Sequence, residues 1–93
     1  MSEQKSGSKV WFITGASSGF GRSLAEQALA QGHRVVAAAR KPEALADLAA
    51  LAPERVLAVR LDVTKGDDIG KAVAEATARF GDVDVLVNNA GYS

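Results

Sequence analysis

Gly15, Gly19 and Gly21 stand inside FITGASSGFGRS, where an apolar run gives way to amphipathic sequence. Glycines placed at a strand-to-helix turn are suited to holding phosphate. They let the backbone turn tightly and let a ligand approach with no side chain in the way. The first turn of the following helix offers unpaired N–H groups and the positive end of its dipole to an anion. The spacing Gly15-x3-Gly19-x-Gly21 differs from the G-x-G-x-x-G dinucleotide fingerprint. It is no P-loop either: Arg22 stands where that motif needs lysine, and Ala16 where it needs its leading glycine. A tight turn with no ligand is the competing reading, since such turns are common in α/β chains.

Other residues able to do chemistry are few. There is no cysteine, which removes disulfides and thiolate metal sites. The single histidine, His33, sits beside Gly32 in a turn, reads as a surface residue, and leaves no ligand set for a metal. Lysine plus arginine and aspartate plus glutamate number 11 each, so the net charge is zero. No basic field recommends nucleic acid or an anionic membrane as a partner. The uncharged run Val10 to Gly21 is too short and too rich in glycine and serine to span a bilayer. Residues 1–8 are polar, without the apolar core of a signal peptide, and read as a flexible leader. A cytoplasmic location is expected.

The elements that must position these residues follow from pattern. At 93 residues, 47% hydrophobic and 24% charged, the chain is at most one small domain or part of a larger one. VWFIT (Val10 to Thr14) reads as a buried strand. From Gly19 onward Phe20, Leu24, Ala25, Ala28 and Leu29 recur at helical spacing, with Gly32 as the stop. RVVAAA (Arg34 to Ala39) is a second strand, its alanines being poor strand formers. Pro42 opens a short helix marked by Leu45, Leu48 and Leu51, and RVLAVRL (Arg55 to Leu61) is a third strand. Thr64 and Asp67 have the spacing of a capping box. Behind them Ile69, Ala72, Val73, Ala76 and Phe80 form an apolar stripe ending at Gly81, and Val83 to Asn89 is a fourth strand. Trp11, Phe12 and Phe80 read as core. Alternation β-α-β-α-β-α-β implies a parallel α/β sheet with helices carried over its faces.

Three stretches of this chain, in order and on the expected elements, resemble motifs of the short-chain dehydrogenases/reductases: TGASSGFG (Thr14 to Gly21), LDV (Leu61 to Val63) and NNAG (Asn88 to Gly91). The resemblance covers residues 9–93 and implies a Rossmann-type fold with strand order 3-2-1-4, truncated relative to the full doubly wound fold. By that resemblance, the backbone of Ser18, Gly19, Phe20 and Gly21 faces a pyrophosphate, beyond the turn that Gly15 opens. Ser17 and Ser18 would bond phosphate or ribose oxygens, although serines also satisfy the backbone of their own turn. Asp62 would accept from the adenine amino group beside the Val63 amide, or serve only as a turn residue. Asn89, Ala90 and Gly91 would lie by the nicotinamide-side ribose, with Asn88 tying adjacent strands.

A NAD site places Asp or Glu at the end of the second strand, where it bonds the ribose 2′-OH. Ala39 holds that position here and Arg40 follows it. A guanidinium can meet a 2′-phosphate with paired hydrogen bonds where a carboxylate would repel it. NADP (as NADPH) is therefore expected in preference to NAD. The alternative is that Arg40 and Lys41 are solvated charges opening a loop.

The family uses a serine, a tyrosine and a lysine beyond the fourth strand, with the tyrosine and lysine four residues apart on one helix. This chain has one tyrosine, Tyr92, no lysine after Lys71, and Ser93 as its last residue, so no catalytic residue is assigned. The expectation is an NADP-dependent oxidoreductase moving hydride between nicotinamide and a small carbonyl or alcohol, active only with a C-terminal part. A non-catalytic NADP(H)-binding module that docks a partner, and a scaffold that binds nothing, are the alternatives. The open edge of the fourth strand invites either the rest of the domain or another copy, and a homo-oligomer is expected.

Overall fold

A five-residue apolar strand between two polar stretches buries itself best in the middle of a sheet, and β1 (Val10–Thr14) does so. The computed structural model describes residues 8–17, 19–62 and 64–89. After β1 come α1 (Gly19–Ala30), β2 (Arg34–Ala39), a 3-10 turn (Pro42–Leu45) running into α2 (Ala46–Leu51), β3 (Val56–Arg60), α3 (Asp68–Phe80) and β4 (Val85–Val87). The four strands form one parallel sheet in the order β3-β2-β1-β4. This is the Rossmann-type arrangement that the alternation and the resemblance imply.

Period-2 alternation divides the core between the two sheet faces. Ile13, Val35, Ala37, Ala39 and Val56 join Ala25, Ala28 and Leu29 of α1 and Leu45 and Leu48 of the α2 region. Val10, Phe12, Val36, Ala38 and Val59 meet Ala72 and Ala76 of α3 on the other face. The alanines of β2 are poor strand formers, yet all three are buried. Flanked by strands and covered on both faces, that strand gains from small residues that let helices approach closely. Phe12 is 2% exposed, and truncating it to alanine would cost about 3–5 kcal/mol.

The path β1-β2-β3 runs one way across the sheet and carries α1 and α2 on one face. To reach β4 the chain doubles back past β1, and α3 lies on the opposite face. Crossovers of one hand require that exchange of faces when the direction reverses. The reversal leaves a switch point between β1 and β4, where α/β sheets bind ligands beyond the strand ends.

The sequence pattern holds at the end of α1 and fails at the start of α3 and in the length of β4. α1 ends as Gly32 predicts, in a Schellman motif: His33 N–H donates to Ala28 O at 3.0 Å and Gly32 N–H to Leu29 O at 3.0 Å. The Thr64/Asp67 capping box does not form. Asp67 is the N-cap residue but makes no side-chain cap bond, and Thr64 is drawn back to Asp62 instead. β4 is also shorter than Val83 to Asn89, pairing only from Val85 to Val87. Asp84 lies outside the ladder, but its Oδ2 accepts from Val10 N at 2.8 Å and aligns the two strands.

His33 is half-buried rather than a free surface residue. Its Nδ1 accepts from Lys9 N at 3.0 Å, and its ring lies 5.7 Å from that of Trp11. Leu86, Ile69 and Val73 are exposed, so the outer part of the α3 stripe and the β4 edge carry uncovered apolar surface. No helix among the described residues is long and apolar enough to cross a membrane.

Candidate cofactor site

Each of the three glycines has a separate physical reason. Gly15 (φ 64°) and Gly19 (φ 62°) occupy the left-handed region, which L-residues with a Cβ enter at a cost. Gly21 lies in the helix and is needed for space. A Cβ there would meet the Gly15 carbonyl at less than any real contact distance and Asn89 Nδ2 at 2.7 Å. The turn is thus folded back so that the start of α1 sits against its own first glycine. Ala16, fully buried, pins the turn to β2 by donating its N–H to Ala38 O at 3.1 Å.

Thr14, at the end of β1, gathers the β4 end. Its Oγ1 donates to Asn88 Oδ1 at 3.2 Å and accepts from Asn89 N at 2.7 Å, while Asn89 Nδ2 donates to Gly15 O at 3.3 Å. Asn88 therefore ties strands as expected. Asn89, assigned to a ribose, also clamps the glycine turn. Sequence reasoning missed Thr14 as the centre of this knot, although its position at a strand end, one residue before the turn, was the available signal.

On the other side of the turn, beyond the ends of β2 and β3, lies an open cleft of about 630 Å³ lined by Ser17, Ala39, Arg40, Lys41, Ala44 and Arg60. Three of these six residues are cations and none is a carboxylate. Arg40 is exposed and enters no ion pair among the described residues. Ala39 ends β2, is 7% exposed, and lines the cleft at the position where a NAD site is expected to carry an acidic residue. Phe20 is 67% exposed on the first turn of α1.

Asp62 follows β3 and organises the third loop. Its Oδ1 accepts from Thr64 Oγ1 at 2.6 Å and from Thr64 N at 3.0 Å, an Asx turn. The Thr64 hydroxyl, then the Thr64 amide, then the charges of Lys65 and Arg40 hold this carboxyl below its ordinary range, so it stays an acceptor. The turn role and an acceptor role toward a ligand are compatible, because the Thr64 bonds engage Oδ1. Asp68, buried at the start of α3, holds the loop from behind: its Oδ2 accepts from Asp62 N at 2.9 Å. Pattern reading did not single out Asp68.

Ser18, Val63, Ala90 and Gly91, also assigned to the cofactor, lie outside the described residues, as do Tyr92 and Ser93. The described site residues Gly15, Ser17, Gly19, Phe20, Gly21, Arg40, Asp62 and Asn89 all lie at or just beyond the C-terminal ends of the strands. The geometry fits a dinucleotide along that edge. Helix N–H groups and a bare glycine backbone stand at the centre, a basic cleft to one side, and the β1/β4 switch point to the other.

The family model described as short chain dehydrogenase matches residues 9–93. The chain belongs to this family. Among curated relatives it is 49% identical over 86 residues to oxidoreductase BOA17 of Botryotinia fuckeliana (strain B05.10), covering 91% of this chain and 31% of that protein. It is 42% identical over 84 residues to the NADP-dependent 3-hydroxy acid dehydrogenase YdfG of Salmonella typhi, covering 90% and 34%. A short-chain dehydrogenase structure from Streptomyces avermitilis superimposes with a TM-score of 0.84 at 56% identity, over 88% of this chain and 30% of that one. A family member from Burkholderia phymatum, solved in complex with NAD, gives 0.77 at 39% identity, over 85% and 29%. This short-chain dehydrogenase sequence thus spans about a third of the length of the curated relatives it matches.

Proposed function

We propose that these residues form the NADP-binding part of a longer short-chain oxidoreductase that moves hydride between nicotinamide and a small carbonyl or alcohol. The observation that carries the cofactor choice is the cleft at the end of β2, with Ala39 in place of an acidic residue and Arg40 beside it. Relatives by name include an NADP-dependent enzyme, and a similar structure holds NAD, so family membership leaves the choice to these residues. A carboxylate at Ala39 would repel a 2′-phosphate, and its absence removes the grip on a free 2′-OH.

When bound, the nicotinamide supplies hydride acceptance and donation. The residues of this chain bind and orient it. Beyond the turn that Gly15 opens, Ser18 to Gly21 present backbone N–H groups to the pyrophosphate, with Ser17 and Ser18 as supporting hydroxyls. Asp62 and Val63 take the adenine. Asn89, Ala90 and Gly91 flank the nicotinamide ribose, and Thr14 sets the position of Asn89. Proton transfer to the substrate oxygen belongs to residues outside this segment, and the 93 residues alone are inactive in this reading. Placement in the cytoplasm goes with it.

The test is titration of the full-length polypeptide with NADPH and NADH, followed by cofactor fluorescence. Tighter NADPH binding is expected, and no binding of either cofactor would overturn the proposal.

A second reading, a non-catalytic NADP(H)-binding module docked to a partner, draws on the edge strand β4, with Leu86 66% exposed. The same edge and the exposed Ile69 and Val73 suit the remainder of the domain or a second copy in a homo-oligomer. Intact-mass analysis of the natural protein separates the readings. A product of this segment's mass favours the module, and a much heavier chain favours the enzyme.

A further inference from the structure

Arg60 closes β3, and the sheet register pairs it with Ala39, the residue before Arg40. It lines the same cleft as Ser17, Arg40 and Lys41. Three cations line one opening, and the carboxylates near them, Asp62 by Arg40 and Asp68 by Arg60, do not line it, so the opening favours an anion. Arg60 has one ion-pair partner among the described residues, Asp68, with Nη1 at 3.5 Å from Oδ2. That contact is loose, and the Asp68 carboxylate already accepts from Asp62 N at 2.9 Å. The Arg60 side chain is 56% exposed. Only the Arg60 end of the pair is exposed, and with one contact at 3.5 Å most donors of its guanidinium fork remain available.

We infer that Arg60 is a second specificity-determining residue, gripping the 2′-phosphate of NADP from the β3 side while Arg40 grips it from the end of β2. The inference rests on the NADP reading and adds a residue to it. A phosphate between two guanidinium groups on different strands takes charge-assisted hydrogen bonds from two directions. A ribose 2′-hydroxyl offers no charge to either. Asp68 then has two tasks: it keeps the Asp62 loop in place, and it parks Arg60 at the cleft wall when no phosphate is present.

The test uses the full-length polypeptide and two probes without nicotinamide, 2′,5′-ADP and ADP, with calorimetric titration of wild type, Arg40→Gln, Arg60→Gln and Arg60→Lys. Arg60→Gln should weaken 2′,5′-ADP about fivefold or more while ADP moves less than about twofold, and Arg60→Lys should fall between. Unchanged 2′,5′-ADP affinity in Arg60→Gln overturns the inference, as does equal weakening of both probes, which would mark a purely structural role through Asp68 and the Asp62 loop. If Arg40→Gln loses the preference and Arg60→Gln keeps it, the inference fails while the NADP reading survives. If the wild type does not distinguish the probes, both fail together.

Discussion

The backbone amide of Asn89 donates to the hydroxyl of Thr14 at 2.7 Å, joining the ends of β4 and β1 across 75 positions of sequence. That bond spans the switch point, so the glycine turn and the β4 end are held as one body. Thr14 is 5% exposed, and its hydroxyl has no bulk water to replace a lost partner. Thr14→Val keeps the shape and removes the acceptor. It should lower stability of the full-length protein by about 1–3 kcal/mol, read by denaturant unfolding, and weaken cofactor binding; Thr14→Ser should restore much of both.

Gly19 and Gly21 should respond differently to substitution. Gly19 has open space around a would-be Cβ, so Gly19→Ala meets only the backbone cost of φ 62°, about 1–2 kcal/mol, and Gly19→Asn should be milder because asparagine tolerates that region. Gly21→Ala instead drives a methyl into the Gly15 carbonyl and Asn89. Loss of about 1–3 kcal/mol and of most cofactor affinity is expected, since the turn and α1 must separate. Melting curves and cofactor titrations of the three variants would check the order.

Arg40→Asp should reverse cofactor choice. NADPH affinity falls by repulsion of the 2′-phosphate, while NADH is spared or gains a partner for its 2′-hydroxyl. Titration with both cofactors reads the ratio directly, and a uniform loss would contradict the assignment.

The Asp62 carboxyl is held low by Thr64 first, then by nearby Lys65 and Arg40. A group whose folded pKa is depressed stabilises the fold above its unfolded pKa, and that contribution is lost as pH falls through the folded value. By the same sign the Asp62 carboxylate stays ionised through the ordinary carboxylate range. Affinity for NAD, which has no phosphate monoester titrating at about pH 6, should therefore stay flat from neutral pH down to that range and decline only below it. Asp62→Asn should weaken binding near neutrality and flatten that acid limb. Affinity measured across pH in both proteins is the check.

Much of the framework was legible because it is local. Glycine spacing, the apolar runs of β1 and β2, and the Gly32 stop express backbone preferences and side-chain periodicity within a few residues. Arg40 was legible because it follows a strand end directly. The capping box failed because Asp62, outside the four-residue pattern, offers Thr64 a carboxylate acceptor two residues away. Ile69 and Val73 share the periodic stripe with buried Ala72 and Ala76, yet periodicity cannot say how far the sheet beneath extends.

The sequence by itself determined a chain of alternating strands and helices with a glycine-rich turn after the first strand and a cation after the second. Only the tertiary structure decided that Gly21 is a contact point with Gly15 and Asn89, that Thr14 ties β1 to β4, and that Arg60 shares a cleft with Arg40. The physical reason is distance along the chain. Those relations depend on strand register and on the reversal at β1/β4, which bring together groups that no local preference couples.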